Sequence, residues 1–229
     1  MTLLKLLEEG GRAAFVYRPP ASVFLAAGGT LVVMDPSDRL TPEEARLISG
    51  RPVLALYSSD SRASYDREVA ILLAGLEGAL VVCNKPVFRD LRRRIPDEKL
   101  VKIKSGETLE LGAVRVRAQR AVQPGLHPLV FLVEVGPLSV FYGSASGFSR
   151  AFSRFSPVDL AFVPLSGSPA ASVGEALRIA RSLQPAVVVP IGGSRESLER
   201  FSTSAQSALP GSTVILPEPD EVYSVDFEK

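Results

Sequence analysis

Imidazole and thiol groups are scarce in this 229-residue chain, and their scarcity limits the nucleophilic, acid–base and metal-binding chemistry it can perform. There is one histidine, His127, and one cysteine, Cys83. A catalytic zinc site normally takes three protein ligands, among which imidazole is very common. One histidine therefore excludes any function built on several of them, and one cysteine excludes a disulfide-stapled domain.

Polar side chains are densest just after the apolar segment 53–56. Residues 58–66 read Ser-Ser-Asp-Ser-Arg-Ala-Ser-Tyr-Asp. Asp60 and Asp66 could hold a hard cation such as Mg²⁺ together with water molecules, or they could cap the helix that follows. His127 could serve such a site as a shifted ligand or general base, or it could be an ordinary loop residue.

The serines supply hydroxyls but no recognisable activated nucleophile. A catalytic serine needs a base within hydrogen-bond reach, usually a histidine oriented by a carboxylate. The chain has neither a Gly-x-Ser-x-Gly elbow nor a Ser-x-x-Lys motif, and the run 143–147 has alanine at its centre. The hydroxyls could instead line a small polar pocket for a phosphate or carboxylate, formed by Ser59, Ser61, Ser64 and Ser144.

The strands that must position these residues are short and follow a definite order. Gly28-Gly29 joins strands at 22–25 and 31–34 in a predicted hairpin. Turn residues then separate the strands of a predicted antiparallel meander, at 100–103, 108–111, 113–118, 129–135 and 138–142. From residue 160 onward, strands and helices alternate. This α/β order predicts a four-layer αββα sandwich, two mixed sheets face to face with helices outside, as a single domain over residues 1–229.

Helices are predicted where capping residues precede apolar residues at helical spacing. Thr41 with Glu44, and Ser172 with Glu175, are capping-box signals. The predicted helices cover 42–48, 65–76, 87–94, 173–183 and 195–208. Three phenylalanines at spacings of four and three predict an aromatic stripe used for core or interface packing, namely Phe148, Phe152 and Phe155.

Charge is balanced overall but uneven along the chain. The 26 basic and 25 acidic residues argue against a general nucleic-acid binder, and no apolar run has the length of a membrane span, which predicts a soluble cytoplasmic protein. The segment Lys85–Lys104, with its Arg92, Arg93 and Arg94, carries a net charge of +5. Arg115 and Arg117 alternate on one strand face, with Arg120 just beyond. These residues could bind nucleic acid or an acidic partner, or be a solvated surface.

Several segments together carry a family resemblance. They are the apolar strand ending in Asp35-Pro36, the Gly-Glu turn in 105–112, the run Val-Asp-Leu-Ala-Phe-Val-Pro at 158–164, and the helix and strand over 175–191. In order and framework the chain resembles the metallo-β-lactamase superfamily. It is most similar to the branch that includes L-ascorbate-phosphate lactonase and metal-dependent hydrolases. The resemblance implies the αββα fold and, in ordinary members, a metal-dependent hydrolase.

The metal-ligand positions are where this chain departs from the family it resembles. The family carries Ser/Thr-His-x-His-x-Asp-His after a buried strand, and the resemblance places these ligands at Ser59, Ser61, Ala63 and Ser64. The other histidines would fall at Gln123 and Gly192, and the bridging aspartate at Ser144. Serine hydroxyls are poor zinc ligands at neutral pH, and alanine and glycine offer no donor. The resemblance thus implies the fold and argues against the chemistry.

We therefore predict a metallo-β-lactamase-fold protein that has lost its metals, uses no cofactor and acts as a binding or scaffold protein. An alternative is a metal-dependent hydrolase of a phosphoester or lactone with a relocated site at Asp60, Asp66 and His127. A third hypothesis is nucleic-acid association through Arg92, Arg93, Arg94, Arg115 and Arg117. A protein partner or a homo-oligomer is left open.

Overall fold

The secondary structure of the computed structural model is described for residues 2–8, 13–37, 40–165 and 171–226. The strands in these ranges are β1 (Ala13–Arg18), β2 (Ser22–Ala27), β3 (Thr30–Met34), β4 (Val53–Tyr57), β5 (Ala79–Cys83), β6 (Leu100–Lys102), β7 (Thr108–Leu111), β8 (Val114–Arg120), β9 (Leu129–Val135), β10 (Leu138–Tyr142), β11 (Leu160–Pro164), β12 (Val187–Ile191), β13 (Thr213–Val214) and β14 (Val222–Val225). The helices are α1 (Thr2–Glu8), α2 (Pro42–Ile48), α3 (Arg67–Ala74), α4 (Lys85–Leu91), α5 (Val173–Leu183) and α6 (Arg195–Ala208), with 3₁₀ helices at Asp97–Lys99 and Arg150–Phe155. None of these helices is long and apolar enough to cross a membrane.

Contacts divide the chain into two units, which are described separately. Unit 1 comprises the described residues up to Lys104 together with 125–127 and 218–226, and unit 2 comprises 105–124 and the described part of 128–217. Each unit has one mixed sheet with helices, so the predicted pair of mixed sheets is confirmed. The single domain over 1–229 stays a prediction.

Unit 1 is built on a sheet in the order β14-β1-β2-β3-β4-β5-β6. The pairs from β14 to β3 are antiparallel and those from β3 to β6 are parallel. The predicted β2–β3 hairpin is confirmed, and both residues of its Gly28-Gly29 turn have positive φ, as a tight hairpin turn requires. Every residue of β4 is buried, as expected for a central parallel strand.

Two features of this sheet differ from the sequence prediction. The segment predicted at 100–103 is not part of the meander, because β6 pairs in parallel with β5 at the edge of the sheet of unit 1. The strands β1 and β14, which pair with each other, were not predicted. A three-residue apolar strand carries no signal for its partner, since the hydrophobic period alone does not choose between sheets.

Unit 2 is built on a sheet in the order β13-β12-β11-β10-β9-β8-β7. The antiparallel meander is confirmed for β7 to β10, and the strands from β10 to β13 pair in parallel. The helices α5 and α6 pack apolar residues such as Ile179, Leu183 and Phe201 into its core. Phe152 is buried in this core, 5.5 Å between ring centroids from Phe141, within a 3₁₀ helix.

The helix boundaries follow their caps. Thr41 and Glu44 form the predicted capping box at α2. Two predicted helices are shifted or shortened: α3 begins at Arg67 because Asp66 caps it, and α4 begins at Lys85 because Asn84 caps it. At α5, Ser172 accepts the backbone N–H of Glu175, while the Glu175 carboxylate accepts the N–H of Phe148.

Candidate functional site

The carboxyl ends of β3 and β4 in unit 1 are joined by a buried carboxylate. Asp35 follows β3 and accepts two hydrogen bonds from Ser58, which follows β4: 2.7 Å from the backbone N–H and 2.6 Å from the hydroxyl. Both residues are fully buried. Neighbouring parallel strands end at the same edge of a sheet, which explains why these two residues meet. The Asp35 carboxylate thus fixes the segment on which the predicted ligand positions lie.

Asn84, which follows β5, extends this arrangement by one strand. Its side-chain amide donates to the carbonyl oxygens of Ser58, at 3.1 Å, and His127, at 3.2 Å. Its Oδ1 atom accepts the N–H of Val87 and caps α4. The backbone carbonyl of His127 is therefore bound at the end of β5, while the residue itself is exposed and has a φ of 55°.

The predicted ligand positions in unit 1 form a tight turn after β4. Ser59 and Ser64 are buried, whereas Asp60, Ser61 and Ala63 are exposed. The Ser59 hydroxyl accepts the N–H of Ser61 at 3.2 Å, and the carbonyl of Ser61 accepts the N–H of Ser64 at 2.9 Å. The turn is therefore held by its own serine hydroxyl and backbone groups.

Asp66 takes the structural role that the sequence left open. One of its carboxylate oxygens accepts the backbone N–H of Val69 at 2.9 Å, which caps α3. A capping carboxylate satisfies helix N–H groups that otherwise have no partner. The use of Asp60, Asp66 and His127 as a relocated site stays a prediction.

The metal ions of the family that the chain resembles do not fit the residues present. Within the described ranges, no three His, Cys, Asp or Glu side chains lie together as a metal site requires. The donors after β4 are hydroxyls, which bind zinc poorly without deprotonation. Cys83 is no substitute, because burial raises the pKa of its thiol to about 12 and keeps it protonated.

The remaining ligand positions lie in unit 2, each just after a strand. Ser144 follows β10, is buried and has a φ of 52°, and Gly192 follows β12 with a φ of 75°. Gln123 follows β8, and its Oε1 atom is buried without a hydrogen-bond partner among the described residues. The sequence predicts that these three residues line one pocket with the serines of unit 1, and this stays a prediction.

A buried hydroxyl that the sequence did not reveal lies beside this turn in unit 1. Tyr57, the last residue of β4, is fully buried, and its OH group has no hydrogen-bond partner in the part of the chain that is described. Burial raises the pKa of this phenol well above its usual 10. Its ring meets that of Tyr65 edge-on, at 5.4 Å between centroids. All five residues of β4 are buried, so the sequence pattern of the strand does not show that the hydroxyl of Tyr57 lacks a hydrogen bond.

The basic residues predicted to bind nucleic acid fall into two groups. Arg92, Arg93 and Arg94 follow α4, are exposed and form no ion pair with a described residue. Arg115 and Arg117 on β8 are neutralised: Arg115 pairs with Glu110, and Arg117 lies 3.4 Å from a Glu134 oxygen and over the ring of Phe155. The two groups belong to different units. Nucleic-acid binding stays a prediction.

Solved structures identify the fold. No known family model matches the sequence. The metallo hydrolase Igni18 of Ignicoccus hospitalis superposes with a TM-score of 0.79 at 16% identity, covering 94% of this chain and 99% of that one. YhfI of Bacillus subtilis, a metallo-β-lactamase-fold protein, superposes with a TM-score of 0.69 at 14% identity, covering 92% and 98%. The chain therefore has the metallo-β-lactamase fold, as the sequence resemblance predicts.

Sequence similarity then gives the family. A UPF0173 protein of Pyrococcus furiosus is 31% identical to this chain over 167 residues, which cover 71% of this chain and 75% of the relative. The chain belongs to the UPF0173 family.

Proposed function

We infer that this chain is a metallo-β-lactamase-fold protein that works without a metal, as a binding or scaffold protein. The observation that supports this most is the turn after β4. Its side chains at the ligand positions are hydroxyls and a methyl group, and of the two carboxylates in this segment, Asp60 is exposed while Asp66 accepts a helix N–H at 2.9 Å. A turn that lacks imidazole and has one of its two carboxylates bound to a helix N–H is a poor site for the metal ion that would act as Lewis acid and activate water.

One finding favours a second candidate. Igni18, which shares the fold, is described as a metallo hydrolase. A hydrolase of a phosphoester or lactone would need its metal at Asp60, Asp66 and His127, all of which lie in unit 1. Two carboxylates and one imidazole are a plausible donor set for a divalent ion, but Asp66 would then have to leave the N-terminus of α3.

Metal analysis separates these candidates. The protein is purified without chelator, dialysed against Zn²⁺, Mn²⁺ and Fe²⁺ in turn, desalted and analysed for metal. We expect much less than one ion per chain, and no divalent-dependent hydrolysis of a phosphodiester or a lactone. One or two ions per chain, lost in Asp60→Ala or His127→Ala, would overturn the proposal in favour of the hydrolase. Arg62→Ala, next to the same residues, is the matched control.

A further inference from the structure

Unit 2 contains a cavity of about 700 Å³ beside Gln123 that is open to solvent. It is lined by residues 119–124, at the end of β8 and in the loop that follows, and by Ser149, which precedes a 3₁₀ helix. Pockets for small organic ligands have volumes of roughly 300–1,000 Å³. The cavity is therefore large enough for a small metabolite.

The wall of this cavity is fixed by hydrogen bonds. The N–H of Arg120 donates to the Ser105 hydroxyl at 3.0 Å, and the N–H of Val122 donates to the Ser146 hydroxyl at 2.8 Å. The carbonyl of Val122 accepts the N–H of Gly147 at 2.9 Å. Backbone held in this way needs little ordering when a ligand binds, which favours affinity.

Gln123 and Arg120 are polar residues of the lining with side-chain groups that lack a partner within the described residues. The Oε1 atom of Gln123 is buried and accepts no hydrogen bond. An unsatisfied buried acceptor is unfavourable, and because Gln123 lines the cavity, a rotation of its amide can turn Oε1 toward a ligand hydroxyl that donates to it. By rotation of its amide, Gln123 can present either an acceptor or a donor, and a hydroxyl can satisfy both.

The second group is the guanidinium of Arg120. On the same strand, Arg115 pairs with Glu110 and Glu134, and Arg117 pairs with Glu134. Arg120 is exposed, forms no ion pair with a described residue, and is the one charged residue among those that line the cavity. A guanidinium binds a carboxylate or phosphate through two parallel hydrogen bonds.

We propose that this cavity binds a small organic anion that carries hydroxyl groups, with the anionic group on Arg120 and a hydroxyl on Gln123. The exposed side chain of Val122 provides an apolar surface for the carbon chain of the ligand. The inference rests on the proposed binding function, because it gives that function a ligand class.

The test is calorimetric titration of the whole chain in EDTA with matched probes. Tartrate and succinate differ only in hydroxyl groups, and threitol has the hydroxyls without the charge. We expect tartrate to bind about tenfold more tightly than succinate, because a site with an unpaired polar group discriminates against a ligand that cannot satisfy it. Glycerol 3-phosphate is compared with inorganic phosphate to test the hydroxyl groups again, and with tartrate to distinguish a phosphate from a carboxylate ligand.

Two variants test whether Arg120 binds the anionic group of the ligand and Gln123 its hydroxyl. Arg120→Gln should weaken tartrate and succinate alike, by about tenfold. Gln123→Leu should lower the affinity for tartrate to that for succinate and leave succinate unchanged. Arg115→Gln, which changes a paired arginine on the same strand, is the control and should bind as the wild type does. The melting temperature of each variant without ligand shows that it is folded.

The proposal is overturned if no hydroxylated anion binds saturably, if tartrate and succinate bind equally, or if Arg120→Gln binds as tightly as Arg115→Gln. Because the titrations are done in EDTA, these results are independent of the metal analysis. Metal binding by the protein would overturn the proposed function. It would not decide whether the cavity binds a hydroxylated anion, which the titrations measure separately.

Discussion

Asp35, Ser58 and Asn84 are polar residues in the interior of unit 1, and each binds another part of the chain. Together they connect the ends of β3, β4 and β5 through hydrogen bonds of 2.6 to 3.2 Å. A buried polar group that loses its partner costs about 1–3 kcal/mol, more when it is charged. Their position at the strand ends suggests a catalytic role, but their bonds show that they support the backbone of the turn after β4.

These bonds were not predicted from the sequence. The resemblance places four of the seven ligand positions within residues 59–64, which form one turn in the structure, and their role as ligand positions stays a prediction. The Asp35–Ser58 pair could have been found, because both residues directly follow adjacent parallel strands. That the Oε1 atom of Gln123 has no hydrogen-bond partner among the described residues could not have been found, since it depends on how the loop after β8 folds against residues distant in sequence.

Replacing Tyr57 by phenylalanine tests the unpartnered hydroxyl. Because the OH group is buried without a hydrogen bond to a described residue, we expect the free energy of unfolding in urea to stay the same or to rise by about 1 kcal/mol. Tyr65→Phe is the matched variant: it removes a hydrogen bond of 2.6 Å to Asp90 and should lower this free energy by about 1 kcal/mol. Equal losses in both variants would show that the Tyr57 hydroxyl has a partner.

Among the elements, those with a local signal were predicted and those that depend on distant pairing were not. The β2–β3 hairpin has its Gly-Gly turn, and α2 has its complete capping box. The strand β6 was assigned to the wrong sheet, and β1 and β14 were missed, because only residues far along the chain show which strands they pair with. Helix ends were predicted to within three residues and were corrected by the caps Asp66 and Asn84.

Substitution of Asp66 tests its role at the start of α3. Asp66→Ala should lower the free energy of unfolding by about 1 kcal/mol, because the N–H of Val69 loses its acceptor. Asp66→Asn should lower the free energy of unfolding by only a few tenths as much, since asparagine is an equally good N-cap. Urea denaturation measures both. An asparagine variant as unstable as the alanine variant would show that the negative charge, and not the cap, is what matters.

For the molecule as a whole, ion pairs of partly buried carboxylates predict the response to acid. The hydrogen bond from Arg67 lowers the pKa of Asp90 below its usual 3.8. Burial alone would raise the pKa of Glu44, but its hydrogen bonds to Arg18 and to the N–H of Thr41 lower it below 4.5. A carboxylate with a lowered pKa in the folded state stabilises the fold at neutral pH.

We therefore expect the free energy of unfolding to fall as the pH falls below about 4, since the unfolded chain binds protons more readily at these carboxylates than the folded chain does. Urea denaturation from pH 7 to pH 3 measures this. Asp90→Asn should be less stable at pH 7 and should lose less stability on acidification. An identical pH dependence in Asp90→Asn and the wild type would show that this ion pair contributes nothing.

The pairing of β14 with β1 has a consequence for biosynthesis. Ala13 lies opposite Val225, so the two strands are separated by about 200 residues of chain, and closing so long a loop is slow. During translation β1 has its hairpin neighbour β2 early, but its other edge cannot be covered until ribosomes have completed unit 2. Until then that edge offers unpaired N–H and C=O groups to other nascent chains. The sheet of unit 1 is therefore begun before unit 2 is synthesised and completed, by β14, only afterwards.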